Sequence, residues 1–155
     1  MSELTFRKAR RSDLESIVAL FADDDLGRLR EDTSLPINPR YEQAFATIDG
    51  DANQFMMVVE RRGDTDLLGF LQITFIPYLS RLGTLRGQVE SVRVASHLRG
   101  LGIGTQMMEE AIRLCRERGC LLVQLTTDLK REKTRKFYEN LGFETSHHGM
   151  KLMLD

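Results

Sequence analysis

The chain has 155 residues, of which 41% are hydrophobic and 29% are charged, and its formal net charge is -1. A chain of this length can bury a core without a metal or a disulfide, so we expect a single domain over residues 1–155. The near-neutral charge argues against nucleic acid as a main partner, because that role requires many cations to neutralise phosphates.

The first third of the sequence predicts one strand and two helices. They are a strand over 4–9, a helix that begins at Ser12 and ends at the acidic run Asp23-Asp24-Asp25, and a helix over 39–48. Ser12 and Glu15 match a capping box, and Asn38-Pro39 supplies an N-cap followed by proline at the first helical position. The charged, aperiodic segment 26–36 between the helices predicts a mobile loop or a binding loop.

The remaining sequence predicts a sheet with further helices. The β-prone runs 55–61 and 67–76 flank a turn and predict a hairpin, which the run 88–94 continues. The elements that follow are a helix over 103–118, a strand over 121–126, a helix over 132–141 and a hairpin over 143–154 about Gly149. Hairpins followed by a strand–helix–strand unit predict a mixed α/β sheet with helices on its faces.

Several classes of site and location are not expected from this sequence. No apolar run approaches the ~20 residues of a membrane helix, and the start lacks the apolar centre of a signal peptide, so we expect a cytoplasmic protein without membrane contact. Cys115 and Cys120 lack metal or redox spacing and fit apolar patterns. We therefore expect both to be small core residues and expect no metal site.

The glycine-rich loop Arg99-Gly100-Leu101-Gly102-Ile103-Gly104 lies between a predicted strand and a predicted helix. Free N–H groups and the positive end of a helix dipole converge at such a point, and glycines let a phosphate approach the backbone. A nucleoside-triphosphate loop is excluded because no lysine follows Gly104, and the dinucleotide fingerprint fails on spacing. The loop predicts a site for a different phosphorylated ligand.

The pattern Arg99-x-x-Gly102-x-Gly104 follows a strand ending in Val-Arg-Val, and LTTDLKREKTRKFYENLGF comes later, with Tyr138 four residues ahead of Gly142-Phe143. Together these motifs resemble the GNAT superfamily of N-acetyltransferases, and the resemblance covers the whole chain. It implies an α/β fold with a mixed, mostly antiparallel sheet flanked by helices. The sheet is expected to splay between its fourth and fifth strands, 88–94 and 121–127, with the pantetheine arm of acetyl-CoA in the gap.

The same resemblance assigns residues to acetyl-CoA, the expected co-substrate. They are Val92, Arg93, Val94, Arg99, Gly100, Leu101, Gly102, Ile103, Gly104, Thr105 and Arg131. It implies that the backbone of Val92 and Val94 bonds the pantetheine, and that the amides of 99–104 with Thr105 hold the pyrophosphate. Arg131 stands where the family often has asparagine. The basic cluster around it fits either phosphate contacts or a solvated helix end; its members are Lys130, Arg131, Lys133 and Arg135.

Acyl transfer to an amine requires a neutral amine, a polarised thioester carbonyl and a proton for the leaving thiolate. Tyr138 matches the family's usual general acid, and the backbone N–H of Val92 or Val94 is a candidate donor to the carbonyl. Glu90 is the candidate general base.

The expectation for Glu90 rests on its position in a strand. Period-two alternation predicts that Glu90 shares a face with Val92 and Val94, with Ser91 and Arg93 opposite. An apolar setting would raise the pKa of its carboxyl and suit a base, whereas the alternative is a carboxylate paired with an arginine.

The resemblance implies that the acceptor binds at the loop between the first two helices and at the terminal hairpin. The run Asp23-Asp24-Asp25 fits either attraction of a cationic amine or, preferably, a solvated loop. His147 and His148 fit either a place in the acceptor pocket or, preferably, exposure on the hairpin.

The predicted function is direct transfer of an acetyl group from acetyl-CoA to a primary amine of a small molecule in a ternary complex. No covalent acyl-enzyme is expected, since neither cysteine lies in a nucleophile motif. The alternatives are a non-catalytic acyl-CoA-binding sensor domain and an acetyltransferase of protein lysines or N-termini. Many family members are dimers, so the resemblance allows a homodimer.

Overall fold

A computed structural model describes residues 3–155 of the chain, which forms two compact units, Met1–Gln124 and Leu125–Asp155. The first unit contains one sheet with strands β1 (Leu4–Lys8), β2 (Gln54–Arg61), β3 (Gly69–Pro77), β4 (Leu85–Val94) and β5 (Leu122–Gln124). Its helices are α1 (Leu14–Phe21), α2 (Pro39–Asp49), the single turn α3 (Ser80–Gly83) and α4 (Ile103–Glu117), and the second unit contains α5 (Glu132–Asn140). The single domain over 1–155 stays a prediction.

The sheet has the order β1-β2-β3-β4-β5, in which only β4 and β5 are parallel. The prediction of a mixed, mostly antiparallel sheet with helices is therefore confirmed. Within residues 3–155, no helix has the length and apolar character that a bilayer crossing demands.

The contact between β4 and β5 is short. Three pairs join the strands, from Arg86 opposite Leu122 to Gln88 opposite Gln124, where β5 ends. β4 continues to Val94. Its second half therefore extends past β5, as a sheet that opens between its fourth and fifth strands requires.

A β-bulge interrupts β4 at Ser91, which has a left-handed φ of 56°. Glu90 lies opposite Gln72, but Arg93 lies opposite Phe70, so two residues of β4 occupy the space of one on β3. Glu90 and Arg93 consequently share a face. The prediction that Arg93 faces away from Glu90 is wrong, because the extra residue breaks the period-two alternation.

Both faces of the sheet are covered by helices. Phe21 of α1 packs edge-on against Phe70, with ring centroids 5.2 Å apart. On the other face, a Cβ at Gly87 would collide with the Cys115 sulfur of α4, so glycine permits the close approach of the helix. Cys115 is buried and Cys120 is half-buried, and burial raises the pKa of the Cys115 thiol to about 12. The core position predicted for Cys115 is confirmed.

Two local predictions are wrong. Ser12 lies inside a 3-10 turn, Arg11–Asp13, that leads into α1, so it is not the N-cap. The hairpin predicted over 143–154 does not form, and its apolar side chains are exposed; they are Met150, Leu152, Met153 and Leu154. A lone two-stranded hairpin is marginal in water, and the polar half Ser146-His147-His148 has no apolar face to bury.

Asp13 fastens β1 to the start of α1. Its carboxylate accepts two hydrogen bonds from the Arg7 guanidinium, at 2.8 and 2.9 Å, and one from the Arg10 backbone N–H at 2.7 Å. The Arg7 guanidinium also donates to Glu60 at 3.0 Å. Arg7 is the main cause that holds the pKa of Asp13 below its usual 3.8.

Asp13→Asn is expected to lower the free energy of unfolding at pH 7 by about 2 kcal/mol, because it leaves a half-buried guanidinium with a weaker partner. The lowered pKa means that the stabilisation is fully present above pH 3.8 and is lost as the pH falls through the folded-state pKa. Urea denaturation from pH 7 downwards measures this. Glu60→Gln is the control with a smaller expected loss, since that side chain is 39% exposed. Equal stability of Asp13→Asn and the parent at pH 7 would contradict the argument.

Candidate active site

The predicted glycine-rich loop leads from β4 into the start of α4. Gly100 and Gly102 have left-handed φ values of 83° and 84°, and Gly102 is the N-cap residue of the helix. A Cβ added to either glycine would meet no atom within 4 Å, so both border open space. The first N–H groups of α4 have no intrahelical partner. Backbone donors and a helix dipole therefore meet at an accessible point, which suits a phosphate.

The side chains of the loop divide into anchors and exposed groups. Ile103 is buried at 3% exposure and fixes the helix start in the core, whereas Leu101 is 53% exposed. Arg99 is exposed, and Thr105 is half-buried in the first turn of α4. Ile103 can therefore contribute to a ligand site only through its backbone.

Asp23, which follows the end of α1, forms hydrogen bonds to the segment that leads into this loop. The Asp23 carboxylate accepts hydrogen bonds from the Ser96 backbone N–H at 2.7 Å and from its hydroxyl at 3.0 Å. The Asp23 carbonyl accepts a further bond from the Arg99 guanidinium at 2.9 Å. Asp23 thus connects two segments that lie more than seventy residues apart in sequence, a role that no local pattern in the sequence indicates.

Asp24 and Asp25, the other two aspartates of the acidic run, have different surroundings. Asp24 accepts from the Gly27 backbone N–H and lies 4.0 Å from the Arg93 guanidinium. Asp25 is 96% exposed and pairs with Arg28. The expectation of a solvated run holds for Asp25 alone, because Asp23 and Asp24 are engaged with the loop entry and with β4.

Asp23→Ala is expected to weaken binding of the expected donor, acetyl-CoA, by about 10-fold, since the loop loses two anchoring hydrogen bonds at Ser96. Calorimetric titration measures the change. Asp25→Ala removes the same charge from an exposed position and is expected to bind like the parent. Equal affinities in the two variants would show that the hydrogen bonds from Ser96 to Asp23 do not contribute to acetyl-CoA binding.

The bulge shapes the backbone that precedes the loop. The side chains of Val92, Arg93 and Val94 are half-buried, and the Arg93 guanidinium donates to the Val92 carbonyl at 3.0 Å. A bulge takes its extra residue out of the ladder, and β5 does not extend alongside this part of β4. This part of β4 therefore has no β5 partner for its backbone, and the Val92 carbonyl is engaged by Arg93.

Glu90 is exposed and lies at the end of a polar chain. The Arg86 guanidinium donates to the Gln124 side-chain oxygen at 3.1 Å, and the Gln124 amide donates to Gln88 at 2.6 Å. The Gln88 amide then donates to the Glu90 carboxylate at 3.1 Å. The predicted apolar setting of Glu90 is wrong, because the bulge separates it from Val94 and its neighbours are side-chain amides.

Tyr138 lies on α5 in the second unit and is 8% exposed. Its ring makes edge-to-face contacts with Phe137 and Phe143, at centroid distances of 5.1 and 5.8 Å. Such contacts fix the plane of the ring and hence the direction of its hydroxyl.

The remaining predicted residues of the second unit differ in their surroundings. Arg131 is the half-buried N-cap residue of α5. Arg135 pairs with Glu139 at 3.1 Å, and about half of each side chain is exposed. His147 and His148 are exposed, as expected, although on an irregular segment. Among the described side chains, no group of three or more metal-ligating residues occurs.

A family model described as the acetyltransferase (GNAT) family matches residues 15–143. A crystal structure of a transcriptional regulator from Bacillus halodurans C-125 has a TM-score of 0.93 and 43% identity, covering 98% of this chain and 100% of that one.

Two curated relatives match parts of the chain. A glucosamine 6-phosphate N-acetyltransferase of Trypanosoma brucei brucei is 32% identical over 88 residues, or 57% of this chain and 58% of that protein. An aminoalkylphosphonate N-acetyltransferase of Salmonella typhimurium is 26% identical over 107 residues, or 69% and 68% of the two chains. The first match therefore spans less than two thirds of that relative's length.

Proposed function

This chain belongs to the GNAT family of acetyltransferases, and from that premise we propose that it transfers an acetyl group from acetyl-CoA to a primary amine of a small molecule. The observation that carries the proposal is the loop before α4, where two left-handed glycines border open space at a helix N-terminus. Pyrophosphate oxygens suit these donors. The names of these two curated relatives support a small amine as acceptor. A third curated relative, 33% identical over 60 residues, is an N-alpha-acetyltransferase 30 of Schizosaccharomyces pombe, and its name supports the protein N-terminus as the alternative acceptor.

The donor site is proposed to use mainly backbone groups. The amides of 99–104 and the Thr105 hydroxyl bind the pyrophosphate, and the backbone of Val92 and Val94 bonds the pantetheine beside β4. Arg131 is proposed as a further phosphate contact. Acetyl-CoA supplies the thioester whose acyl group is transferred.

Three groups are proposed to act on the reacting atoms. The Tyr138 hydroxyl gives a proton to the leaving sulfur, and a backbone N–H of Val92 or Val94 polarises the carbonyl. Glu90 takes a proton from the amine through water, which its exposure permits. Each proton transfer contributes roughly 10²–10⁴-fold to the rate when acid and base are well positioned.

A second candidate function is a non-catalytic sensor that binds acyl-CoA. The 43% identical structure from Bacillus halodurans is described as a transcriptional regulator, which favours testing this candidate directly. Acetylation of protein lysines or N-termini is the alternative within enzymes. Cytoplasmic location and a homodimer remain parts of the proposal.

Calorimetric titration with acetyl-CoA, followed by thiol release with a panel of amines, tests the proposal. The panel contains amino sugars, aminoalkylphosphonates, polyamines and lysine peptides. Binding with thiol release by small amines supports the enzyme, and release only with peptides supports protein acetylation. Binding without release by any amine favours the sensor. Absence of binding contradicts both functions.

A further inference from the structure

Arg86 is a half-buried cation at the first pair between β4 and β5. Its guanidinium lies over the Tyr78 ring, 4.1 Å from the centroid, and donates to the Gln124 oxygen. Its buried Nε has no hydrogen-bond partner among residues 3–155, and no carboxylate of that range pairs with it. A partly buried charge without a counter-charge is costly, so Arg86 is suited to a bound anion.

Arg7 and Arg61 show the usual arrangement for arginines on this sheet. Arg7 pairs with Asp13 and Glu60, and Arg61 pairs with Asp64 at 2.8 Å. Arg86 instead has a neutral amide and an aromatic ring as neighbours. These neighbours orient the guanidinium without neutralising its charge.

The polar chain from Arg86 to Glu90 has a defined direction. A guanidinium can only donate and a carboxylate can only accept, so the Gln124 and Gln88 amides each use their oxygen toward Arg86 and their N–H toward Glu90. Rotating either amide by 180° would break the chain. The four side chains thus form one ordered surface with a cation at one end and an anion at the other.

This surface lies on one face of β4 at the point where β5 ends. Arg86, Gln88 and Glu90 alternate along the strand ahead of the bulge, and about 13 Å of strand separates the two charged residues. Three neighbouring side chains of β2 and β3 on this face are polar, and they are Gln54, Gln72 and Thr74. Ile76 lies opposite Arg86, and Met56 lies opposite Gln72. A ligand on this face would meet opposite charges at its two ends.

We propose that Arg86 determines acceptor specificity by binding an oxyanion, so that the acceptor carries both a primary amine and a phosphonate, phosphate or carboxylate group. The amine lies toward Glu90, and the oxyanion meets the guanidinium that Tyr78 and Gln124 hold in place. This inference rests on the proposed function, since it names the class of acceptor at the same site.

Calorimetry on the protein saturated with CoA tests the inference without catalysis, because bound CoA blocks the phosphate loop. The probes are 2-aminoethylphosphonate, β-alanine and propylamine, which present a phosphonate, a carboxylate and no anion beside the same amine. At least ~10-fold tighter binding of one or both anionic probes than of propylamine is expected. The tighter of the two identifies the preferred oxyanion.

Two variants and one control complete the experiment. Arg86→Gln is expected to abolish the preference for the anionic probe, and Arg62→Gln, which removes the same charge from an exposed position, is expected to keep it. Gln124→Glu is nearly isosteric and places a carboxylate next to Arg86, so it is expected to lose the preference even if Arg86→Gln does not fold. Wild-type protein that binds no probe, or binds all three equally, overturns the inference, as does a preference that survives in Gln124→Glu.

Thiol release from acetyl-CoA, measured on the same proteins without added CoA, separates this inference from the proposed function. Release with amines but without preference for the anionic ones supports the enzyme and overturns the role of Arg86. Preferential binding of an anionic probe without thiol release supports the oxyanion site and contradicts the transfer reaction.

Discussion

Tyr138→Phe is expected to lower kcat by roughly 10²–10⁴-fold while the Kd for acetyl-CoA changes by less than about twofold. The substitution removes only the hydroxyl, and the ring keeps its edge-to-face contacts with Phe137 and Phe143. The fold around the ring should therefore persist. The large loss follows because the thiolate would leave without a positioned proton donor.

Thiol release under saturating substrates and calorimetric titration with acetyl-CoA measure the two quantities on the same preparation. Thr47→Val is the control, since it removes a hydroxyl that donates to the Gln43 carbonyl at 3.0 Å at an exposed position of α2 and keeps the shape of the side chain. Its kcat is expected to stay near that of the parent. A kcat for Tyr138→Phe equal to that of the control would remove Tyr138 from the mechanism.

Local signals in the sequence were sufficient for most of the secondary structure. α2 begins at Pro39 because Asn38 accepts from the Arg40 backbone N–H, as the N-cap pattern predicted. α4 follows Gly102 as predicted and ends one residue earlier than predicted, at Glu117. Such signals lie within a few residues of the position that they control, so one sequence reveals them.

The surroundings of the candidate site depended on features without a local signal. Ser91 takes a left-handed φ, which is unusual for serine, and alternation along the strand gave no sign of the bulge. The partners of Asp23 and Arg86 come from other elements, at Ser96 and Gln124. Pairing between distant segments is decided by tertiary packing, and this explains why the setting of Glu90 was mispredicted.

Gly102 and Gly119 flank α4 and offer a matched pair of substitutions. Gly102 precedes the helix with φ 84°, and Gly119 follows it with φ 87°. A Cβ at either position would meet no protein atom within 4 Å. Valine therefore imposes similar backbone strain at both ends, of at least about 1–2 kcal/mol, without a steric clash in the free protein.

Gly102→Val is expected to weaken acetyl-CoA binding by roughly 100-fold, whereas Gly119→Val is expected to change it by less than about threefold. The reason is that the valine at Gly102 fills the open space where the proposed pyrophosphate meets the first N–H groups of α4, and each charge-assisted hydrogen bond lost there costs about 1.5–3 kcal/mol. Thermal unfolding tests whether the two variants lose the same stability, and calorimetric titration then measures the change in acetyl-CoA affinity. Backbone strain affects both variants, whereas only Gly102→Val obstructs the loop. If both variants lose the same stability and both bind acetyl-CoA as tightly as the parent, the phosphates bind elsewhere.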